Sequence, residues 1–129
     1  MLKVVFCHDG QAVNDFHACD FVDGIVNTYR RTFHVGNYDM MVRFSTECVL
    51  DAFVLQTMED EILSKNIEFY YRGPGMENDI KMEFNEFRGL KIPDGINEIG
   101  TRCEMVRKIV QFGFEKIKAK AEKENGWKC

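Results

Sequence analysis

A chain of 129 residues with 45% hydrophobic and 29% charged side chains suits one domain spanning residues 1–129 and excludes a disordered or low-complexity protein. Its formal charge of −4 repels phosphate backbones and anionic lipid, which disfavours nucleic-acid and membrane-surface partners. Five cysteines, at 7, 19, 48, 103 and 129, are odd in number and form no C-x-x-C or zinc-ligand pair. They point to reduced thiols in a cytoplasmic setting, with no metal or other cofactor.

Residues 2–7, LKVVFC, read as a β-strand ended by His8-Asp9-Gly10. This start is too short for a signal-peptide core, and no segment approaches a membrane span in length. Two continuations compete. In one, a helix runs from about 11 to 23, with Ala12, Phe16, Cys19 and Val26 at helical intervals and Gly24 closing it. In the other, Asp9-Gly10 turns a hairpin whose second strand is 11–18. Poor alternation over 12–19 favours the helix.

Residues 28–45, TYRRTFHV-GN-YDMMVRFS, carry a two-residue hairpin signal at Gly36-Asn37. Pairing outward from that turn puts Val35, Phe33, Arg31 and Tyr29 opposite Tyr38, Met40, Val42 and Phe44 on one mostly apolar face. The other face receives His34 with Asp39 and Arg30 with Arg43. A helix follows, capped by Ser45 or Thr46 and ending near Lys65, with Cys48, Ala52, Leu55, Met58 and Ile62 as its packed stripe. Strand 67–72 (IEFYYR), loop 73–79 (GPGMEND) and the alternating Ile80, Met82 and Phe84 predict a second hairpin. Residues 85–95 read as irregular. A last helix begins near 95, capped by Asp94. Its heptad-like seam is Ile96, Ile99, Cys103, Val106, Val110, Gly113 and Ile117, and Gly113 permits close backbone approach. The order β-α-β-β-α-β-β-α predicts an α+β fold: an antiparallel sheet of two hairpins and an N-terminal strand, with about three helices on one face.

Three constellations carry possible chemistry. Cys7, His8 and Asp9 offer a nucleophile, a base and its orienting group at a strand end, and His17 with Asp20 would add metal ligands from a helix. The ordinary reading, a turn with solvated side chains, is preferred, and no metal is expected. Arg30, Arg43 and His34 on the hairpin form an anion-contacting patch unless Asp39, Glu47 or Glu83 neutralises them. Tyr70 and Tyr71 are consecutive on a strand, so one of them faces away from the core, beside a Gly-Pro-Gly loop.

The leading expectation is a non-enzymatic cytoplasmic binding module of adaptor, regulator or inhibitor type. It would contact a protein partner or a small anionic ligand through Arg30, Arg43, His34, Tyr70 and Tyr71, and self-associate as a homodimer through the last helix. One alternative is a small hydrolase or phosphotransfer enzyme built on Cys7, His8 and Asp9. Another is a protein that sequesters a nucleotide or signalling molecule. Trp127 and Cys129, in a polar tail, are assigned no role.

Overall fold

Strand β1 (Leu2–Gln11) lies between two parallel neighbours, and that placement governs the rest of the fold. The structure, a computed structural model, describes residues 1–32, 36, 38–91 and 104–125. After β1, a short 3-10 turn (Asp15–His17) leads into helix α1 (Ala18–Arg31), strand β2 (Met40–Phe44), helix α2 (Glu47–Glu59) and the single-turn helix α3 (Glu61–Ser64). Strands β3 (Ile67–Arg72), β4 (Ile80–Asn85) and β5 (Gly89–Lys91) and helix α4 (Glu104–Asn125) complete the described elements.

The sheet order is β2-β1-β3-β4-β5. β1 runs parallel to β2 and β3, with Val5 level with Arg43 on one side and Tyr70 on the other, while β4 and β5 add antiparallel strands. The fold is therefore α+β with a mixed sheet, which corrects the expected all-antiparallel one. A central parallel strand is buried on both faces and reads as a continuous apolar run. LKVVFC is such a run: Leu2, Val4, Phe6 and also Val5 and Cys7 are buried.

The predicted hairpin over 28–45 does not form. Residues 28–31 belong to α1, and Met40–Phe44 pairs with β1 in parallel. Ala18, Val22, Val26 and Tyr29 are the buried positions of α1, and their spacing of three and four carries the helix through Gly24. A mid-helix glycine costs only about 1 kcal/mol against alanine, less than the burial of one such side chain contributes. Gly36 does adopt a positive φ of 121°, but in a helix-to-strand connection. Phe33, His34, Val35 and Asn37 lie outside the described residues.

Other boundaries shift for similar local reasons. Asp9-Gly10 is not a turn. β1 continues through it with a register shift, so that Phe44 pairs with both Phe6 and Gln11. Gly10 is required there, because a Cβ would sit 2.6 Å from the Phe44 backbone. The helix expected from about 11 starts at Ala18 instead, leaving Ala12 and Phe16 exposed. Cys19, expected on an apolar stripe, is also exposed, whereas Cys48 is buried. Thr46 occupies the N-cap position of α2 without a side-chain cap bond. Its hydroxyl instead bonds the Val13 N–H and carbonyl, both at 2.8 Å, and ties the end of β1 to the start of α2. Asp60 ends α2 and caps α3 by accepting from the Ile62 and Leu63 amides. Strands 67–72 and 80–85 and the loop between them follow the sequence expectation, and β5 occupies part of the stretch read as irregular.

The described helices cover one face of the sheet. Buried side chains of α1, α2 and α4 share a core with Leu2, Val4, Phe6, Phe44, Phe69 and Met82. Phe44 sits between Phe6 and Phe53, with ring centroids 6.0 and 5.8 Å away. Because β2 and β3 flank β1 on opposite sides while α1 and α2 share one face, the two crossovers have opposite hand. One of them departs from the right-handed connection that parallel strands nearly always make. Among the described residues no helix is long and apolar enough to cross a membrane.

Candidate functional site

The sheet face turned away from the helices is where the polar chemistry collects. Alternation along the strands puts Lys3, Val5 and Cys7 of β1, Met41 and Arg43 of β2, Glu68, Tyr70 and Arg72 of β3, and Lys81 and Glu83 of β4 on this face. Val5 and Cys7 are buried beneath their longer neighbours. Lys81 is held by Glu68 at 2.7 Å, and the Tyr70 hydroxyl also bonds Glu68. That pairing holds the Glu68 carboxyl below and the Lys81 ammonium above their usual ranges, through the hydrogen bond between them first.

At the carboxyl ends of the parallel strands the charges are less completely matched. Cys7 lies level with Arg72. Its thiol donates to the Asp9 carboxylate, and it also feels Arg43 and Asp79. Burial, then the bond to Asp9, pushes the Cys7 thiol above its usual pKa. The same bond, a backbone hydrogen bond and the nearby His8 and Arg72 charges hold Asp9 low. The register that sets Tyr71 against Ile80 brings Arg72 and Asp79 to the mouth of the β3–β4 hairpin. Nε of Arg72 and Oδ1 of Asp79 are both buried without a hydrogen-bond partner. Neither Arg43 nor Arg72 has a carboxylate at ion-pair distance among the described residues.

Of the residues singled out in the sequence, the fold brings together Cys7, Asp9, Arg43 and Tyr70, and separates the others. Arg30 is on α1, in the helical layer, and pairs with Asp60. It is therefore not opposite Arg43, and the expected two-arginine hairpin patch is corrected on that point. Tyr71 points into the core, 4% exposed, and stacks on Phe6, so of the tyrosine pair it is Tyr70 that faces outward. His8 is exposed on the opposite strand parity from Cys7 and Asp9. His17 and Asp20 are exposed, and no group of three or more His, Cys, Asp or Glu that could hold a metal occurs among the described residues. His34 lies outside the described residues.

Arg72 and Asp79 were missed as site residues, although a signal existed. They bracket the 73–78 loop of a hairpin that the sequence does predict, so closing that hairpin juxtaposes them. Asp51 of α2 was also missed. Burial, then the charge of Glu47 one turn away, raises its pKa to about 7.

Chemically, the strip gives two guanidiniums from β2 and β3 flanking Val5 and Cys7, with the Asp9 carboxylate beside the thiol and Asp79 beyond β3. Guanidinium forks suit carboxylate or phosphate oxygens. A buried thiol with a raised pKa suits packing better than nucleophilic attack, which needs the thiolate. No family model matches the chain, and no curated protein or solved structure shows significant similarity to it.

Proposed function

We propose that the chain is a non-enzymatic binding module that takes an anionic group on the open sheet face, with Arg43 and Arg72 as its principal contacts. The observation that carries this reading is the state of the two arginines. They flank Val5 and Cys7 from β2 and β3, neither is ion-paired with a described carboxylate, and Nε of Arg72 is a buried donor with no acceptor. A buried donor left unsatisfied costs roughly 1–3 kcal/mol, which an anionic oxygen would recover. Asp79 Oδ1 is an unsatisfied acceptor at the mouth of the same hairpin, so the best-fitting ligand pairs an anionic oxygen with a hydrogen-bond donor, as a phosphomonoester or a hydroxy acid does.

Tyr70 stands across Val5 from Arg43, which supports a nucleotide as one member of this class, its base on the ring and its phosphate on the guanidinium. The five cysteines, odd in number and without a C-x-x-C pair, support a reducing, cytoplasmic setting. A thermal-shift panel of inorganic phosphate, nucleoside monophosphates, hydroxy acids and acidic peptides tests the reading. A ligand at 100 times its Kd stabilises the native state by about 2.7 kcal/mol. Arg43→Ala and Arg72→Ala should abolish the response, and Arg30→Ala should preserve it. Absence of any response across the panel, or equal loss with Arg30→Ala, overturns it.

A further inference from the structure

Helix α4 carries two kinds of surface. Gly113 is buried: a Cβ there would fall 1.9 Å from the Phe87 carbonyl oxygen and 3.4 Å from Met58. Further along, Phe114 and Ile117 are 69% and 46% exposed, and Ala121 is exposed as well. At 3.6 residues per turn these three share one stripe, with Lys118 along its border and Glu115 and Glu122 turned away from it. Lys116 and Lys120 lie over the Phe112 and Phe87 rings, which leaves Lys118 beside the stripe without a described partner.

A surface of opposite charge lies between α1 and the α2–α3 corner. It is a groove of about 650 Å³ walled by Val26 and Ile62 and lined by Asp23, Glu59, Asp60 and Glu61 against the single cation Arg30. Arg30 is committed to Asp60 and Gln56 to Asp23, so Glu59 and Glu61 are the carboxylates left to meet an incoming cation. Ile62 is 65% exposed at its edge.

We infer that this groove receives the Phe114–Ala121 stripe of a second copy of the chain, each copy offering its helix to the other's groove. The stripe sets Phe114 and Ile117 beside Lys118, and the groove sets the exposed Ile62 beside an excess of carboxylates, so the apolar groups match and the net charges are complementary. Two copies of the stripe placed against each other would instead bring Lys118 toward Lys118. The reciprocal arrangement closes with two-fold symmetry. It also doubles the contact, which matters because specific interfaces bury about 1,200 Å² or more. The inference is independent of the anion reading, since the groove and the open sheet face lie on opposite sides of the sheet.

Sedimentation equilibrium of the full chain at micromolar concentration tests it. The expected result is twice the monomer mass, weakening as salt is raised, with both Phe114→Ala and Ile62→Ser shifting the equilibrium at least tenfold toward monomer. Both side chains are exposed, so both variants should keep the parent circular dichroism and thermal midpoint. The charge reversals Lys118→Glu and Glu61→Lys should each weaken association, and combining them in one chain should restore it. A monomer throughout the concentration range overturns the inference. A dimer sensitive to Phe114→Ala but not to Ile62→Ser also overturns it, because the stripe would then be packing on something other than the groove.

Discussion

Arg72 and Asp79 are the first residues beyond the last paired rung of the β3–β4 hairpin, Tyr71 with Ile80, and the buried Nε of one and the buried Oδ1 of the other have no hydrogen-bond partner. Two buried polar groups left unmatched cost stability that an apolar pair would not. Arg72→Met combined with Asp79→Leu should therefore raise the free energy of unfolding by about 1 kcal/mol, measured by urea titration, while removing the anion response. A variant that loses stability by a similar amount would show the pair to be structural.

Cys7 should resist alkylation. Its thiol is buried and held above its usual pKa by desolvation first and Asp9 second, whereas Cys19 is exposed. Iodoacetamide at pH 8, followed by peptide mass spectrometry, should label Cys19 at least about tenfold faster than Cys7. Cys7 should become fully reactive in denaturant. Labelling of Cys7 first would restore the case for a nucleophile.

Gly113→Ala reverses the usual helix rule. Alanine improves an exposed helix interior by about 1 kcal/mol, but here its Cβ would collide with the Phe87 carbonyl at 1.9 Å. The expected change is a destabilisation of about 2 kcal/mol or more, read from the chemical-denaturation midpoint.

Asp51 should make stability depend on pH. Its folded pKa of about 7 lies above the ordinary carboxyl value near 3.9. In the window between them the folded chain keeps a proton that the unfolded chain releases. Stability therefore falls as pH rises from about 4 to about 7, and it recovers on acidification. Asp51→Asn should raise stability by about 2 kcal/mol at pH 8, after allowance for partial solvent access. At pH 4 it should have little effect. Thermal midpoints measured across that range check both ends.

Asp60 joins two elements through one side chain, capping α3 and pairing with Arg30. Asp60→Ala should cost about 1 kcal/mol through the lost cap. Arg30→Ala should cost less than that, because a half-exposed ion pair contributes little. Equal losses for the two variants would assign the effect to the ion pair.

Some of this was written locally in the chain. The β3–β4 hairpin follows from alternation in IEFYYR and IKMEF around a Gly-Pro-Gly loop, and α2 follows from apolar spacing after Thr46, since each rests on neighbours close in sequence. The same local reading explains why Gly113 was identified as a point of close approach and why one of Tyr70 and Tyr71 had to face outward. The partners of β1 were not legible this way. Gly36-Asn37 between two β-rich runs carries a real turn signal, but the stripe Ala18, Val22, Val26 and Tyr29 extends into the first run, and only the core decides between them. Burying that stripe against α2 and β1 keeps residues 28–31 helical, which forces Met40–Phe44 to return parallel to β1. That one choice moved Arg30 into the helical layer and left Arg43 to be joined by Arg72. Turn and periodicity preferences amount to about 1 kcal/mol per residue, whereas burying one side chain such as Val26 or Tyr29 contributes roughly 1.5–3 kcal/mol. Where the two conflict, tertiary packing prevails.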